Sequence, residues 1–297
     1  MRITLLKLPK TSFLDLAILA SVATGLAYLA HRVAVGMGYD WDWAIIPQYF
    51  IRFDDETQSY VPNLLLNGLL TTIRLSVWST LLATILGLVM GLSRLSRGLF
   101  HRLMGWSYVE SVRNLPPLVL VFIIYYFLSE QLLPTLHISN AMDAAPGWVR
   151  EMVTILFAKP QALPAFLSAV FTLALYEGAY ITEIIRAGIQ SVEKGQWEAA
   201  YALGLSSRQR MQHVILPQAM RRILPPLGGQ FISTIKDSAI VSIISIQELT
   251  FQGMELMSAT YLTFEVWITV FLLYLSLTLT CSLAVNRLEK RMAGPDH

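Results

Sequence analysis

The sequence predicts an all-α integral membrane protein with about six transmembrane helices and a cytoplasmic helix–turn–helix in its longest inner loop. Three observations carry this. Of 297 residues, 55% are hydrophobic and 14% charged, too little charge to cover a soluble fold of this length. The apolar residues gather in six runs near the bilayer-spanning length of about 20 residues. Basic residues concentrate in alternate connections between those runs. Lipid supplies no water to unpaired backbone groups, so each run is expected to be helical.

The first run, 14–34, is long for the apolar part of a leader peptide, and Asp15 interrupts its start. It is therefore expected to persist as a helix; a cleaved leader would leave five spans. The connection 36–63 mixes Tyr39, Trp41, Trp43, Tyr49 and Phe50, as suits a stretch lying at headgroup level. The next runs are 64–92 and 106–133, the latter carrying Pro116 and Pro117. Segment 134–160 includes "GWVREMVTILF", whose apolar spacing predicts a short surface helix on the outer face. Runs 163–185, 223–246 and 262–285 complete the set. Cys281, the only cysteine, lies in the last run and reads as a small packing residue; no metal site is expected.

Charge sets the orientation. Arg2, Lys7 and Lys10 precede the first run, and Arg94, Arg97 and Arg102 follow the second. Lys194, Arg208, Arg210, Arg221 and Arg222 lie between the fourth and fifth, and Arg287, Lys290 and Arg291 close the chain. The other connections hold Asp40, Asp42, Asp54, Asp55 and Glu56, then Asp143 and Glu151, then Glu248 and Glu255. Six spans with both termini in the cytoplasm satisfy this pattern. The expected organisation is a first helix with an external loop (1–62), a transmembrane domain (63–290) and a cytoplasmic tail (291–297).

The inner loop, about 187–222, is polar among apolar neighbours. "WEAAYAL" favours a helix, Gly204 stands at its C′ position, and Ser206 or Ser207 can cap a second helix over "SSRQRMQHVIL". Pro217 is expected to end or bend that helix. An apolar side of Trp197, Tyr201, Leu205 and Val214 would require a covering surface, either a partner protein or the membrane bundle itself.

These residues resemble a known signature. "EAA", three residues, Gly, nine residues, a branched aliphatic, any residue and "LP" is the cytoplasmic-loop motif of ABC importer permeases. Here it is Glu198-Ala199-Ala200, Gly204, Val214, Leu216 and Pro217, with Val where the family commonly has Ile. "NGLLTTIRLSVWSTLLATILGLVMGLSR", "YVESVRNLPPLVLVF", "GAYITEIIRAGIQSVEKGQWEAAYALGLS" and "LPQAMRRILPPLGGQFISTIKDSAIVSIISIQELT" resemble the polar-amino-acid branch over most of 64–250. The resemblance implies a bacterial inner-membrane permease that moves a glutamine-, glutamate-, histidine- or arginine-class amino acid. It implies a hairpin docked on a separate ATPase, with Glu198 and Gly204 shaping the coupling helix and Ala199, Ala200 and Leu205 packing nearby. ATP and Mg would be held by that ATPase. A second permease subunit, identical or not, an external solute-binding protein and membrane lipid would complete the assembly, with no nucleic acid. The chain has no phosphate-cradling G-x-x-x-x-G-K-[ST] loop, so it is not expected to be an enzyme or to bind a cofactor.

Charges inside the runs are candidates for a pathway or gate, because intramembrane charge is costly and faces a cavity or a partner. Arg74 reads as an ion-paired or snorkelling side chain. Arg113, beside Pro116–Pro117, either holds a substrate carboxylate or satisfies freed carbonyls or Glu110. Glu177 and Glu183 flank Tyr180 but do not share a face; Glu183 can pair with Arg186, whereas Glu177 is free to meet an amino group or a basic side chain. Lys236–Asp237 lies about 21 Å along the helix past Arg222, with Gly228–Gly229 as a flexible point below; it is either a gate or an assembly contact. A permease for another small polar solute is the nearest alternative. A gradient-driven transporter would show inverted halves, and none is seen. The five histidines have no ligand or triad spacing, which disfavours a membrane enzyme.

Overall fold

The computed structural model describes residues 12–36, 39–55, 58–127, 131 and 133–292. Arg2, Lys7, Lys10, Glu56 and His297 lie outside the described residues. Two units are distinguished, one through Trp43 and one from Ala44.

The first unit contains α1 (Phe13–Gly36). Asp15 sits in its first turn and accepts the Ser12 N–H at 2.8 Å, so the charge serves the helix start. Phe13, Leu16, Ile18, Leu19 and Val22 are all exposed, as on a helix that meets lipid.

The second unit begins with a 3₁₀ turn and a hairpin, β1 (Ile51–Asp54) and β2 (Ser59–Pro62), paired antiparallel from Ile51↔Pro62 to Asp54↔Ser59. Then come α2 (Leu64–Arg94), α3 (Leu99–Asn114), α4 (Pro117–Phe127), α5 (Ile138–Asp143), α6 (Gly147–Leu156) and α7 (Leu163–Gln190). The expected short helix in 134–160 is α6. The chain continues through α8 (Lys194–Ala202), α9 (Ser207–Gln209), α10 (Leu216–Asp237), α11 (Leu249–Thr260) and α12 (Thr263–Met292).

Among the described residues, Leu64–Leu95, Pro160–Gln190 and Thr263–Arg291 are long and apolar enough to cross a membrane, and α3 with α4 adds a fourth if read together. The chain is an all-α membrane protein. Two expected spans take a different form. The run 106–133 is not one helix: α3 and α4 meet at 114°. Leu115 is extended (ψ 143°), as a residue before proline is driven to be, and two successive prolines deny the turn its donors. The run 223–246 is α-helical only to Asp237, in a helix that starts earlier at Leu216, and then tightens to 3₁₀ over Ser238–Ile244.

The bundle is organised on α2 and α7, which run parallel. Ala83, Gly87 and Gly91 of α2 face Gly178, Ile181 and Ile185 of α7 in turn. A Cβ on Gly87 would lie 2.6 Å from the Ile181 side chain and 3.1 Å from its backbone carbon, so the glycine is what allows this approach. Ala83, Ile181, Ile185 and Ile189 continue into Ile215, Ala219 and Ile223 of the following segment as one buried cluster. A second cluster joins Leu75, Phe166, Ala169, Leu173 and Val241 nearer the other end.

Candidate functional site: the 194–217 hairpin and the buried charges

The hairpin forms as its residues direct. Helix α8 closes in a Schellman turn: Leu205 N–H donates to Ala200 O at 3.3 Å and Gly204 N–H to Tyr201 O at 2.9 Å, with Gly204 at φ +74°. Ser206 and Gln209 then build a reciprocal capping box at 3.3 and 2.9 Å. Arg210 lies over the Tyr201 ring at 5.1 Å and clamps the two arms.

The helix does not end at Pro217. Arg210–Ile215 is a π-helical turn that passes directly into α10. A proline clashes with the carbonyl four residues before it in α geometry; the widened turn relieves that clash. The hairpin and α10 are therefore continuous. Gln218 Nε2 donates to Gln196 Oε1 at 3.2 Å, and Arg222 donates to the Ser191 carbonyl, which fastens α10 to both α8 and the end of α7.

The apolar side is also divided differently from the expected one. Trp197, Met211 and Val214 pack on the bundle cluster, and Ala200 is buried. Leu205 and Leu216 are half-buried. What remains in the open is Tyr201 at 72% and Leu203 at 78%, flanked by Glu198, Ala199, Gly204 and Pro217. Glu198 pairs with Lys194 one turn earlier at 3.3 Å, on the surface.

Inside the bundle the charges separate into two groups. Glu183 bridges Arg94 of α2 and Arg186 of its own helix, the latter at 2.7 Å. The Arg186 pairing was legible from spacing; the Arg94 one needed the parallel α2–α7 packing. Glu177 is fully buried halfway along α7, where Gln230 of α10 donates to its Oε2. Its Oε1 is buried and makes no hydrogen bond of good geometry, and the Asp237 carboxylate lies close by. Lys236 points away and is exposed, as adjacent helical positions require.

Arg113 does not pair with Glu110, whose carboxylate accepts from Asn114 at 3.0 Å. Its guanidinium stands 5.3 Å from the Tyr180 ring centre, and Tyr180 in turn contacts Tyr176, the two hydroxyls 3.3 Å apart. Tyr108 donates to the Leu175 carbonyl at 2.6 Å, in space that Gly178 leaves free, and this seats α3 against α7 beside Glu177. So the structure gathers Arg113, Tyr180, Glu177 and Asp237 around the middle of α7 and sets Glu183 apart as a brace.

Sequence reasoning missed Glu248. Counted there among loop acids, it is fully buried, accepting from Phe251 N–H at 2.8 Å, Tyr274 Oη at 2.7 Å and Thr72 Oγ1 at 3.3 Å. A capping-type position before "LTFQG" is its only local signal.

Residues 83–294 match the family model described as the binding-protein-dependent transport system inner membrane component. The chain belongs to that family. The permease is 34% identical over 230 residues to the probable glutamine ABC transporter permease protein GlnM of Bacillus subtilis (strain 168), covering 77% of this chain and 94% of that protein. It is 33% identical over 258 residues to the glutamine transport system permease protein GlnP of Escherichia coli (strain K12), covering 86% and 99%. A solved structure, a crystal structure of an amino acid ABC transporter with histidines, matches 85% of this permease and 100% of that chain at 32% identity, with a TM-score of 0.66. Permeases of this family work with ATPase and binding-protein partners and are not themselves enzymes.

Proposed function

We propose that this permease moves a polar amino acid of the glutamine, glutamate, histidine or arginine class inward across the bacterial cytoplasmic membrane. Both termini and the 194–217 hairpin face the cytoplasm, and ATP with its Mg is hydrolysed on a separate subunit seated on the hairpin. An external solute-binding protein delivers the substrate, and a second permease subunit completes the pathway wall. The observation that carries this reading is the exposed Tyr201–Leu203 tip at the end of α8, tied through Arg210 to the arm that runs on into α10. Two large apolar side chains at the tip of a polar loop call for a protein groove.

The mechanics follow from the connections. A push on α8 passes through Trp197, Met211 and Val214 and through the unbroken π–α junction into α10. Helix α10 spans 22 residues, about 33 Å at 1.5 Å per residue, so displacement at the hairpin reaches Gln230 and Asp237. These two groups hold the Glu177 side of the pathway. Two neighbouring carboxylates repel unless a cation or proton lies between them, so Glu177 and Asp237 suit an ammonium or basic side chain. Arg113 is the matching cation for a carboxylate, with Tyr180 positioning it, and Lys236, which points away, is left outside the pathway. Glu183 keeps α2 and α7 aligned.

The test is co-purification of the permease with its ATPase, together with uptake of radiolabelled L-glutamine. Gly204→Pro and Glu198→Lys are expected to abolish both while the protein remains in the membrane. Unchanged co-purification and uptake in both variants would overturn the docking.

A further inference from the structure

At the opposite end of the bundle from the hairpin, a cavity of about 550 Å³ opens between the N-terminal ends of α2 and α7 and the start of α11. That volume lies in the range of small-molecule sites. Its polar lining includes Thr71, Arg74, Lys159, Gln252 and Glu255.

Three features single this cavity out. Arg74 is half-buried more than two turns into α2 and has no ion pair or hydrogen bond among the described residues. A guanidinium kept within a span without a counter-ion is costly unless it serves a ligand or water-filled cavity. Gln252 is 4% exposed, and its Oε1 accepts no hydrogen bond. Glu255 follows Gln252 by three positions on α11, hence on the same side of the helix. Arg74 and Glu255 line one cavity and yet form no ion pair, so the space between them separates a bidentate donor from an acceptor.

We infer that this cavity is a reception site for a zwitterionic α-amino acid. The substrate's carboxylate lies on Arg74, and its ammonium lies on Glu255. The site is separate from the Glu177 region, which is 11 residues or about 16 Å further along α7 than the cavity-lining Phe166. The inference rests on the reading of the chain as an amino-acid permease.

The test uses the purified permease–ATPase complex in lipid nanodiscs and calorimetric titration with L-glutamine, L-glutamine amide and N-acetyl-L-glutamine. Wild type is expected to prefer the intact amino acid over both blocked forms. Arg74→Gln should weaken L-glutamine binding about ten- to a hundredfold and lose the discrimination against the carboxyl-blocked amide. Glu255→Gln should lose the discrimination against the N-acetyl form, and Arg74→Lys should restore part of the affinity. Wild-type affinity and both discriminations retained in Arg74→Gln and Glu255→Gln would overturn the site. Should a variant not assemble, an absent preference in wild type for the free amino acid over its blocked forms overturns it as directly. A complex that hydrolyses ATP but neither binds nor imports any of the four amino acids glutamine, glutamate, histidine and arginine would instead overturn the underlying substrate reading, and this inference with it.

Discussion

Gly204 shows how much one residue can fix. Its φ of +74° closes α8, and a Cβ built on it would meet nothing within 4 Å, so any penalty for substitution is conformational rather than steric. Gly204→Asn is expected to keep nearly full thermal stability and ATPase association, because Asn tolerates the left-handed region. Gly204→Val should lose about 1–2 kcal/mol of hairpin stability and release the ATPase at lower salt. Equal behaviour of the two variants in pull-downs would show that the turn conformation is not what matters. This position was legible in the sequence, since a glycine after an Ala-rich helix has one common use. The partners of the charged residues were not: Arg94 reaches Glu183 across 89 positions and Gln230 reaches Glu177 across 53.

At the level of elements, α10 carries the most consequence. Pro217, Pro225 and Pro226 each remove a backbone donor, yet the helix is continuous from Leu216 to Asp237, through Gly228–Gly229. The two glycines differ sharply. A Cβ on Gly228 would lie 2.7 Å from the Val285 side chain of α12, whereas one on Gly229 meets nothing. Gly228→Ala is therefore expected to destabilise the protein by about 1–3 kcal/mol, with a lower unfolding midpoint, through forced separation of α10 and α12. Gly229→Ala should be neutral or stabilise by up to about 1 kcal/mol through helix propensity. Thermal unfolding in detergent separates these outcomes, and the reverse order would refute the packing described. Proline chemistry predicted an end or a bend at Pro217; the π turn ahead of it carries the chain on as helix.

For the molecule as a whole, the tie point is Glu248. It joins α2, α11 and α12 by accepting from Thr72, its own helix N-terminus and Tyr274. Removing it takes the acceptor from Thr72 Oγ1 and the Phe251 N–H and leaves Tyr274 only Thr250 Oγ1 at 3.0 Å. Glu248→Ala is expected to destabilise the protein by about 2–4 kcal/mol, and Tyr274→Phe by about 1 kcal/mol. A loss under about 0.5 kcal/mol for Glu248→Ala in the same unfolding assay would refute this role. The position beside the 550 Å³ cavity also sets the Gln252–Glu255 face of α11, so the tie orders the end of the bundle away from the hairpin.

By itself the sequence determined the class of protein, the helices over 14–34, 64–92, 163–185 and 262–285, and the two-armed hairpin with its glycine turn. Those are consequences of local composition: transfer of apolar runs to lipid, backbone self-satisfaction in helices, and the φ that only some residues adopt. Only the tertiary structure decided which apolar hairpin residues stay exposed, that the run 106–133 folds back at 114°, and that helix continues from Leu216 to Asp237. It alone decided that Glu177 meets Gln230, that Glu248 is a core residue, and that Arg74 faces a cavity without a counter-ion among the described residues. Each of these is set by which helices lie side by side, and contact between positions far apart in the chain leaves no trace in the spacing of either segment.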